Sequence, residues 1–143
     1  MTDTQIARRF RQIGDILEIK GENPFKIKAY RTACDTIEAL EDNLADIDAR
    51  GELQNIPGFG PAIVGKTREF LMTGTCDLWE KIKMDVPAGV IQLAGIRGVG
   101  PKVAAQVFKE LNVTTVDALE AAAQNGQLQA LSGFAAAKEK KFL

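Results

Sequence analysis

The 143-residue chain has no histidine. That absence removes serine–histidine and cysteine–histidine nucleophilic catalysis. Its two cysteines, Cys34 and Cys76, are far apart and form no C-x-x-C pattern, so a zinc site built from histidine and cysteine is excluded. Both are read as core or neutral-surface residues. No apolar run reaches the length of about eighteen residues that a membrane-spanning helix needs. The stretch from Met1 to Phe10 begins a helical pattern rather than a signal peptide, and a cytoplasmic location is the default expectation. Strict apolar–polar alternation is missing too, so no strand is expected and the fold class is all-α. Neither sign of charge is in large excess: 18 Lys and Arg stand against 19 Asp and Glu, a net charge of −1. Residues 1–80 hold 10 basic and 14 acidic side chains, and residues 81–143 hold 8 and 5. Binding to a polyanion must therefore rest on local patches and backbone dipoles rather than bulk charge. With 45% hydrophobic and 26% charged residues, the chain fits one globular domain or two small ones.

What the chain does have is a repeated glycine–proline stretch. Ile56-Pro57-Gly58-Phe59-Gly60-Pro61 recurs as Ile96-Arg97-Gly98-Val99-Gly100-Pro101. Glycine reaches positive φ without strain and lets another backbone approach closely. Proline at the first helical position gives up no needed hydrogen bond and is preset to helical φ. Each copy therefore predicts a tight hairpin feeding a helix. The start of that helix offers unpaired N–H groups and the positive end of a dipole, so the ligand it suits is an anion. A weaker third copy runs from Gly126 to Ala135. There Gly58-Phe59-Gly60 has become Gly133-Phe134-Ala135, and no proline opens the next helix.

Periodicity predicts the helices around these turns. Ile6, Phe10, Ile13 and Leu17 form an apolar stripe between Thr4 and Lys20, with Arg8, Arg9 and Arg11 largely off it. Asn23 and Pro24 read as cap and first residue of a second helix reaching about Leu40. Its apolar face holds Ile27, Tyr30, Ala33, Cys34, Ile37 and Leu40. Lys26 points into that face near the helix's exposed end, where a lysine either snorkels out or lines a pocket at the core's edge. Lys28 and Arg31 are expected in solvent. A short acidic helix follows between Asn43 and Glu52, then the first hairpin and a helix from Pro61 to Met72 with Lys66 at the border of its apolar face. Cys76 to Met84 is one more amphipathic segment, holding Trp79 and Ile82. Val86-Pro87-Ala88-Gly89 carries a helix breaker and no periodicity, and marks a boundary between a first domain at 1–85 and a second at 86–143. The second hairpin, a helix from Pro101 to Leu111 and another from Thr115 to Ala123 complete the series. The helical pattern still runs at Phe142-Leu143, and with the degenerate third copy this leads us to expect a continuation beyond Leu143.

A G-x-G pair also occurs in dinucleotide-binding folds, but those need a preceding strand, a third glycine and a downstream acidic residue in a βαβ unit. Paired copies set between helical patterns match the helix-hairpin-helix motif instead. Such hairpins present successive backbone N–H groups to a phosphate and position a protein on nucleic acid without reading its sequence. Their carbonyls are able to hold a monovalent cation that bridges to the phosphate. The bland alternative is that these glycines only turn one helix into the next.

The segment Leu17 to Arg31, with Asn23-Pro24-Phe25-Lys26-Ile27-Lys28-Ala29-Tyr30 inside it, together with the first hairpin and Lys66, resembles the amino-terminal region of the family X DNA polymerases, especially the bacterial and archaeal members. The resemblance covers nearly the whole chain, as a lyase-type domain followed by a second hairpin domain, without the palm and its metal-binding aspartates. In the polymerase beta branch, the sixth residue after the second hairpin glycine is a lysine that forms a Schiff base with a 5′-deoxyribose phosphate. The resemblance puts Lys66 in that place, and Lys26 and Tyr30 in the 5′-phosphate pocket. It implies DNA contacts at Gly58, Phe59, Gly60, Arg68, Gly98, Val99, Gly100 and Lys102. It also implies Na+ or K+ on the carbonyls of Gln54, Ile56 and Phe59, and of Ala94, Ile96 and Val99. Where that branch has further pocket lysines this chain has Gln54, Ala62 and Leu78, and Phe25 replaces a pocket histidine, so the pocket is poorer in positive charge. Within the chain, the second hairpin has Gln106 in the place of Lys66 and Lys102 in the place of Ala62. The first copy is thus the candidate for chemistry and the second a clamp on the DNA backbone.

The function implied is sequence-independent binding of gapped or nicked DNA, including 5′-phosphate ends, in base-excision-type repair, with the hairpins gripping the backbone on either side of a break. Nucleoid association, and a downstream polymerase domain or other repair proteins as partners, go with it. No membrane partner and no cofactor for chemistry are expected. Polymerase activity is not expected either, because nothing offers a cluster of aspartates on strands for two-metal catalysis. One alternative is a 5′-deoxyribose phosphate lyase acting through Lys66. Another, favoured by the acidic first half, is a protein-interaction scaffold.

Overall fold

Thr2 opens the first helix with a reciprocal cap: its hydroxyl accepts the Gln5 N–H at 3.2 Å, and Gln5 Oε1 accepts the Thr2 N–H at 2.9 Å. In the computed structural model, which describes residues 1–127, this helix, α1, spans Asp3–Ile19. Asn23 caps α2 (Pro24–Ala39), accepting the Phe25 N–H at 2.8 Å. Asn43 caps α3 (Leu44–Ala49), and a single 3-10 turn (Leu53–Asn55) leads to the first hairpin and α4 (Pro61–Thr73). Then come α5 (Asp77–Ile82), α6 (Ala88–Ala94), α7 (Gly100–Leu111) and α8 (Val116–Gln124). All regular structure among the described residues is helical, and none of these helices is long and apolar enough to cross a membrane. The third copy of the hairpin, from its third residue onward, lies outside the described residues.

The chain divides into two units, Met1–Lys83 and a second beginning at Met84. In the first, α1 and α2 bury their facing stripes, with Ile6, Phe10, Ile13, Ile16 and Ala33 wholly out of water. Phe10 stacks on Tyr30 of α2, ring centroids 6.1 Å apart, and meets Phe70 of α4 edge-on at 5.4 Å. Asp3 ties α1 to α3 by accepting the Leu44 N–H at 3.0 Å. Thr67, on the buried face of α4, satisfies its hydroxyl by donating to the Ile63 carbonyl at 2.8 Å.

Arg31 is not the solvated residue that its helix position implied. Its Nη2 bridges Glu18 at 2.6 Å and Asp15 at 3.4 Å across the α1–α2 seam. Gly14 lies beside its stem, where an added Cβ would come into van der Waals contact with Arg31 Cγ at 3.4 Å. Asp15 is buried, which raises its pKa, and the neighbouring Arg31 guanidinium pulls the other way.

In the second unit α6 and α7 pack through Val90, Leu93, Ala104 and Val107, all fully buried. Asn112, at φ +55°, ends α7, and the Val113 N–H returns to the Val107 carbonyl at 3.0 Å. Helicity breaks between Ile82 and Ala88, as expected around Val86 and Pro87, but the break does not extend to Gly89. Pro87 caps α6 and Gly89 lies inside it. That glycine serves close approach, since an added Cβ would stand 1.8 Å from the Thr114 carbonyl oxygen.

Alanine is ordinarily the better helix former by about 1 kcal/mol. Gly89→Ala is nonetheless expected to destabilise the second unit by about 3 kcal/mol, through overpacking against backbone. Urea denaturation followed by circular dichroism reads the sign; a stabilised variant would contradict the contact. The cysteines give a second test. Both are buried, and burial, reinforced by Glu38, pushes the Cys34 thiol up to about 11 while it donates to Glu38 Oε1 at 3.6 Å. Burial raises the Cys76 thiol as well. At pH 8 a disulfide reagent such as Ellman's is expected to label the native chain at least ~100-fold more slowly than the urea-unfolded chain. Rapid native labelling of either thiol would show that its cover opens.

Candidate nucleic-acid interface

The first hairpin closes with a 3.0 Å bond from the Phe59 N–H to the Ile56 carbonyl. Gly58 sits in that turn at φ +85°, where L side chains are strained, and a Cβ would also press on Thr32 Cγ2 at 3.2 Å. Phe59 is buried and anchors the turn. Gly60 caps α4 with extended backbone and no side-chain bond, and the space around it is open. Because the Val64 N–H takes the Gly60 carbonyl and Pro61 has no N–H, the Ala62 and Ile63 N–H groups are left without intrahelical acceptors.

The second hairpin repeats the closure: the Val99 N–H donates to the Ile96 carbonyl at 3.0 Å, Gly98 is at φ +90°, and Val99 is buried. The copies differ at the second glycine. Gly100 is at φ +73°, whereas Gly60 is extended at φ −80°. Lys102 is exposed in the first turn of α7. The carbonyls of Ile56 and Ile96 each accept a turn N–H and keep one lone pair. They and the carbonyls of Gln54, Phe59, Ala94 and Val99 are neutral oxygens, the donor type a hard cation takes.

Beside the first hairpin, Lys26, Tyr30 and Lys66 line one cavity of about 400 Å³, closed by Leu17, Ala62 and Leu78. Two helical i,i+4 pairs build it: Lys26 with Tyr30 on α2, and Ala62 with Lys66 on α4. Lys66 Nζ lies 5.9 Å from the centre of the Tyr30 ring, within cation–π reach. Burial, with a smaller contribution from Cys76, pushes the Tyr30 phenol above its usual value, so its hydroxyl stays a hydrogen-bond donor. Cys76 is buried and caps α5 by accepting the Trp79 N–H at 3.5 Å; Lys66 opposes the burial-driven rise of its thiol pKa. Ala62 and Leu78, standing where the resemblance implied absent lysines, make the cavity wall apolar.

Other expected residues fall elsewhere. Gln54, Phe59 and Arg68 line a separate, open concavity of about 610 Å³ along α4. There Arg68 Nε is paired with Asp48 at 3.2 Å, which competes with any phosphate, and Gln54 donates to the Gly51 carbonyl at 2.7 Å. Phe25 is 82% exposed at the start of α2, outside the cavity lining. Leu17 of α1 and Ala29 of α2 were not expected in the cavity, because their contribution depends on how these two helices pack together; Leu78 of α5 was expected there only from the resemblance.

Residues 1–76 match the helix-hairpin-helix domain family, and residues 90–141 match the SAM-like helix-hairpin-helix tandem family. The chain is 30% identical over 143 residues to the DNA polymerase/3′-5′ exonuclease PolX of Bacillus subtilis (strain 168), an alignment covering 100% of this chain and 25% of that protein. It is 34% identical over 94 residues to the DNA polymerase type-X family protein pol4 of Schizosaccharomyces pombe, covering 65% of this chain and 18% of that one. The chain therefore spans a quarter or less of the curated relatives it matches. Its repeated hairpins, its wholly helical described residues and these matches agree: the chain belongs to the helix-hairpin-helix domain family, in the form of the paired-hairpin region of family X DNA polymerases.

Proposed function

We propose that this chain binds gapped or nicked DNA without sequence preference, as the DNA-gripping region of a family X DNA polymerase or a free-standing relative acting in base-excision-type repair. The observation that carries this reading is the repeated turn. Ile56–Phe59 and Ile96–Val99 close with the same 3.0 Å bond, each holds a glycine at positive φ, and each feeds a helix with proline in its first turn. Each unit thereby offers unpaired N–H groups at a helix start to a backbone phosphate. Na+ or K+ on the hairpin carbonyls would bridge the same phosphates. A nucleoid-associated cytoplasmic location, and a polymerase domain or other repair proteins as partners, go with this reading.

Valine at both Gly98 and Gly100 would have to adopt φ near +90° and +73°, conformations strained for a β-branched residue. The double variant is expected to lose about tenfold or more in affinity for a gapped duplex at ~100 mM salt. Trp79 emission, which reports on the first unit, should stay unchanged in the free protein. Undiminished affinity would contradict the backbone grip. Failure of the unaltered chain to bind at ~50 mM salt would leave the protein-interaction scaffold as the better account.

The cavity favours a second reading, 5′-deoxyribose phosphate lyase chemistry. In it, Lys26 and Tyr30 hold the 5′-phosphate. Lys66 Nζ attacks the sugar's C1′ aldehyde and water leaves to give a Schiff base. Loss of the C2′ proton then expels the 3′-phosphate by β-elimination. Borohydride with a pre-incised abasic duplex is expected to trap a covalent adduct that Lys66→Ala reduces at least ~100-fold. An adduct that survives Lys66→Ala unchanged, or none with the unaltered chain, would rule out this role for Lys66.

A further inference from the structure

We propose that α1 carries a second phosphate site, one that takes the phosphodiester backbone of a DNA strand; this rests on the DNA-binding reading above. Gln5, Arg8, Arg9 and Gln12 line a concavity of about 420 Å³ that Gly74, at the end of α4, borders. Their spacing is i, i+3, i+4, i+7, a polar stripe along one side of the helix.

What this stripe presents is one-sided. Gln5 Oε1 already accepts the Thr2 N–H at 2.9 Å, and Gln12 Oε1 accepts from Arg9 Nη1 at 3.2 Å. The two amides are thus left with their NH2 groups to offer, beside two guanidiniums that carry only donors. Neither Arg8 nor Arg9 has a carboxylate within 4.0 Å among the described residues, whereas Arg31, Arg50 and Arg68 all do. With both amide oxygens engaged and Glu80 acting on Arg9 only from beyond salt-bridge distance, a surface that mainly presents donors and positive charge fits a ligand made of anionic acceptor oxygens. Arg9 is also preset: its guanidinium lies 4.0 Å from the centre of the Trp79 ring, an arrangement that holds the plane while the remaining N–H groups stay available.

The source of the phosphate follows from α5. Leu78 lines the Lys66 cavity, and its neighbour Trp79 seats Arg9. One short helix therefore joins the two cationic concavities in one unit, as a strand carrying regularly spaced phosphates would use them. A single free anion has no need of both.

Arg8 is exposed and Trp79 is the chain's single tryptophan, which supplies both a variant that leaves the core alone and an optical probe. Arg8→Gln is expected to weaken binding to a gapped duplex about five- to tenfold at ~100 mM salt and to lower the salt slope by about one; Arg8→Lys should restore the slope. Trp79 emission should shift along the same binding curve. Binding by the unaltered chain with no change in affinity or slope for Arg8→Gln would overturn this site while leaving the hairpin grip intact. No binding by the unaltered chain would remove the DNA reading itself. If inorganic phosphate alone at ~10 mM reproduces the Trp79 response and DNA produces none, the ligand is a small anion and the inference fails.

Discussion

Phe10 is the contact on which the first unit depends. It is wholly buried on α1, stacked on Tyr30 of α2 and edge-on to Phe70 of α4. Burying a phenylalanine contributes about 1.5–3 kcal/mol, and each aromatic pair about 0.5–1.5 kcal/mol beyond that. More important is what the cluster positions. Tyr30 bears on Phe10 and also lies 5.9 Å from Lys66 Nζ. The core therefore places the lysine of one helix against the tyrosine of another, and the cavity is a consequence of packing rather than of loop conformation. Sites held by side chains on packed helices are better defined than sites on loops.

A chain with net charge −1 still leaves some cations without carboxylate partners, because pairing is uneven. Arg31, Arg50 and Arg68 are engaged by Asp15 and Glu18, by Asp42 and Glu52, and by Asp48. Those pairs consume much of the acidic excess of the first half. Lys26, Lys66, Arg8 and Arg9 have no carboxylate within salt-bridge distance among the described residues, and they line two concavities, whereas Arg68 lines a third while paired with Asp48. Local pairing, not the sum of charges, decides where a phosphate is welcome.

Much of this was legible from residue order. Asn23, Asn43 and Thr115 announce helix starts through side-chain oxygens that accept nearby N–H groups, and Pro24 and Pro61 follow the same logic. The pairs Lys26–Tyr30 and Ala62–Lys66 lie one turn apart, so each face could be read within its own helix. What could not be read depends on a second element. Arg31 sits on a nominally solvated face, yet Asp15 and Glu18 of α1 hold it across the seam. Gly89 looks like a breaker until the Thr114 carbonyl is found where its Cβ would stand. Arg9 is off the apolar stripe, but Trp79 from α5 covers it. Each is a tertiary contact that leaves no period in the sequence.

The two hairpins show how one motif divides its requirements. The first glycine of each copy is at positive φ and is needed for the turn itself. The second is needed for conformation only in the second copy, where Gly100 is at φ +73°; Gly60 is extended, a backbone any residue adopts. With nothing within 4 Å of where its Cβ would be, Gly60 is not required by internal packing either. What remains is access: a bare backbone at a helix start lets an anion come closer to the N–H groups than a side chain would permit. A methyl group at that point would leave the turn standing and occupy its outer face, the face that meets the phosphate under the proposed DNA grip.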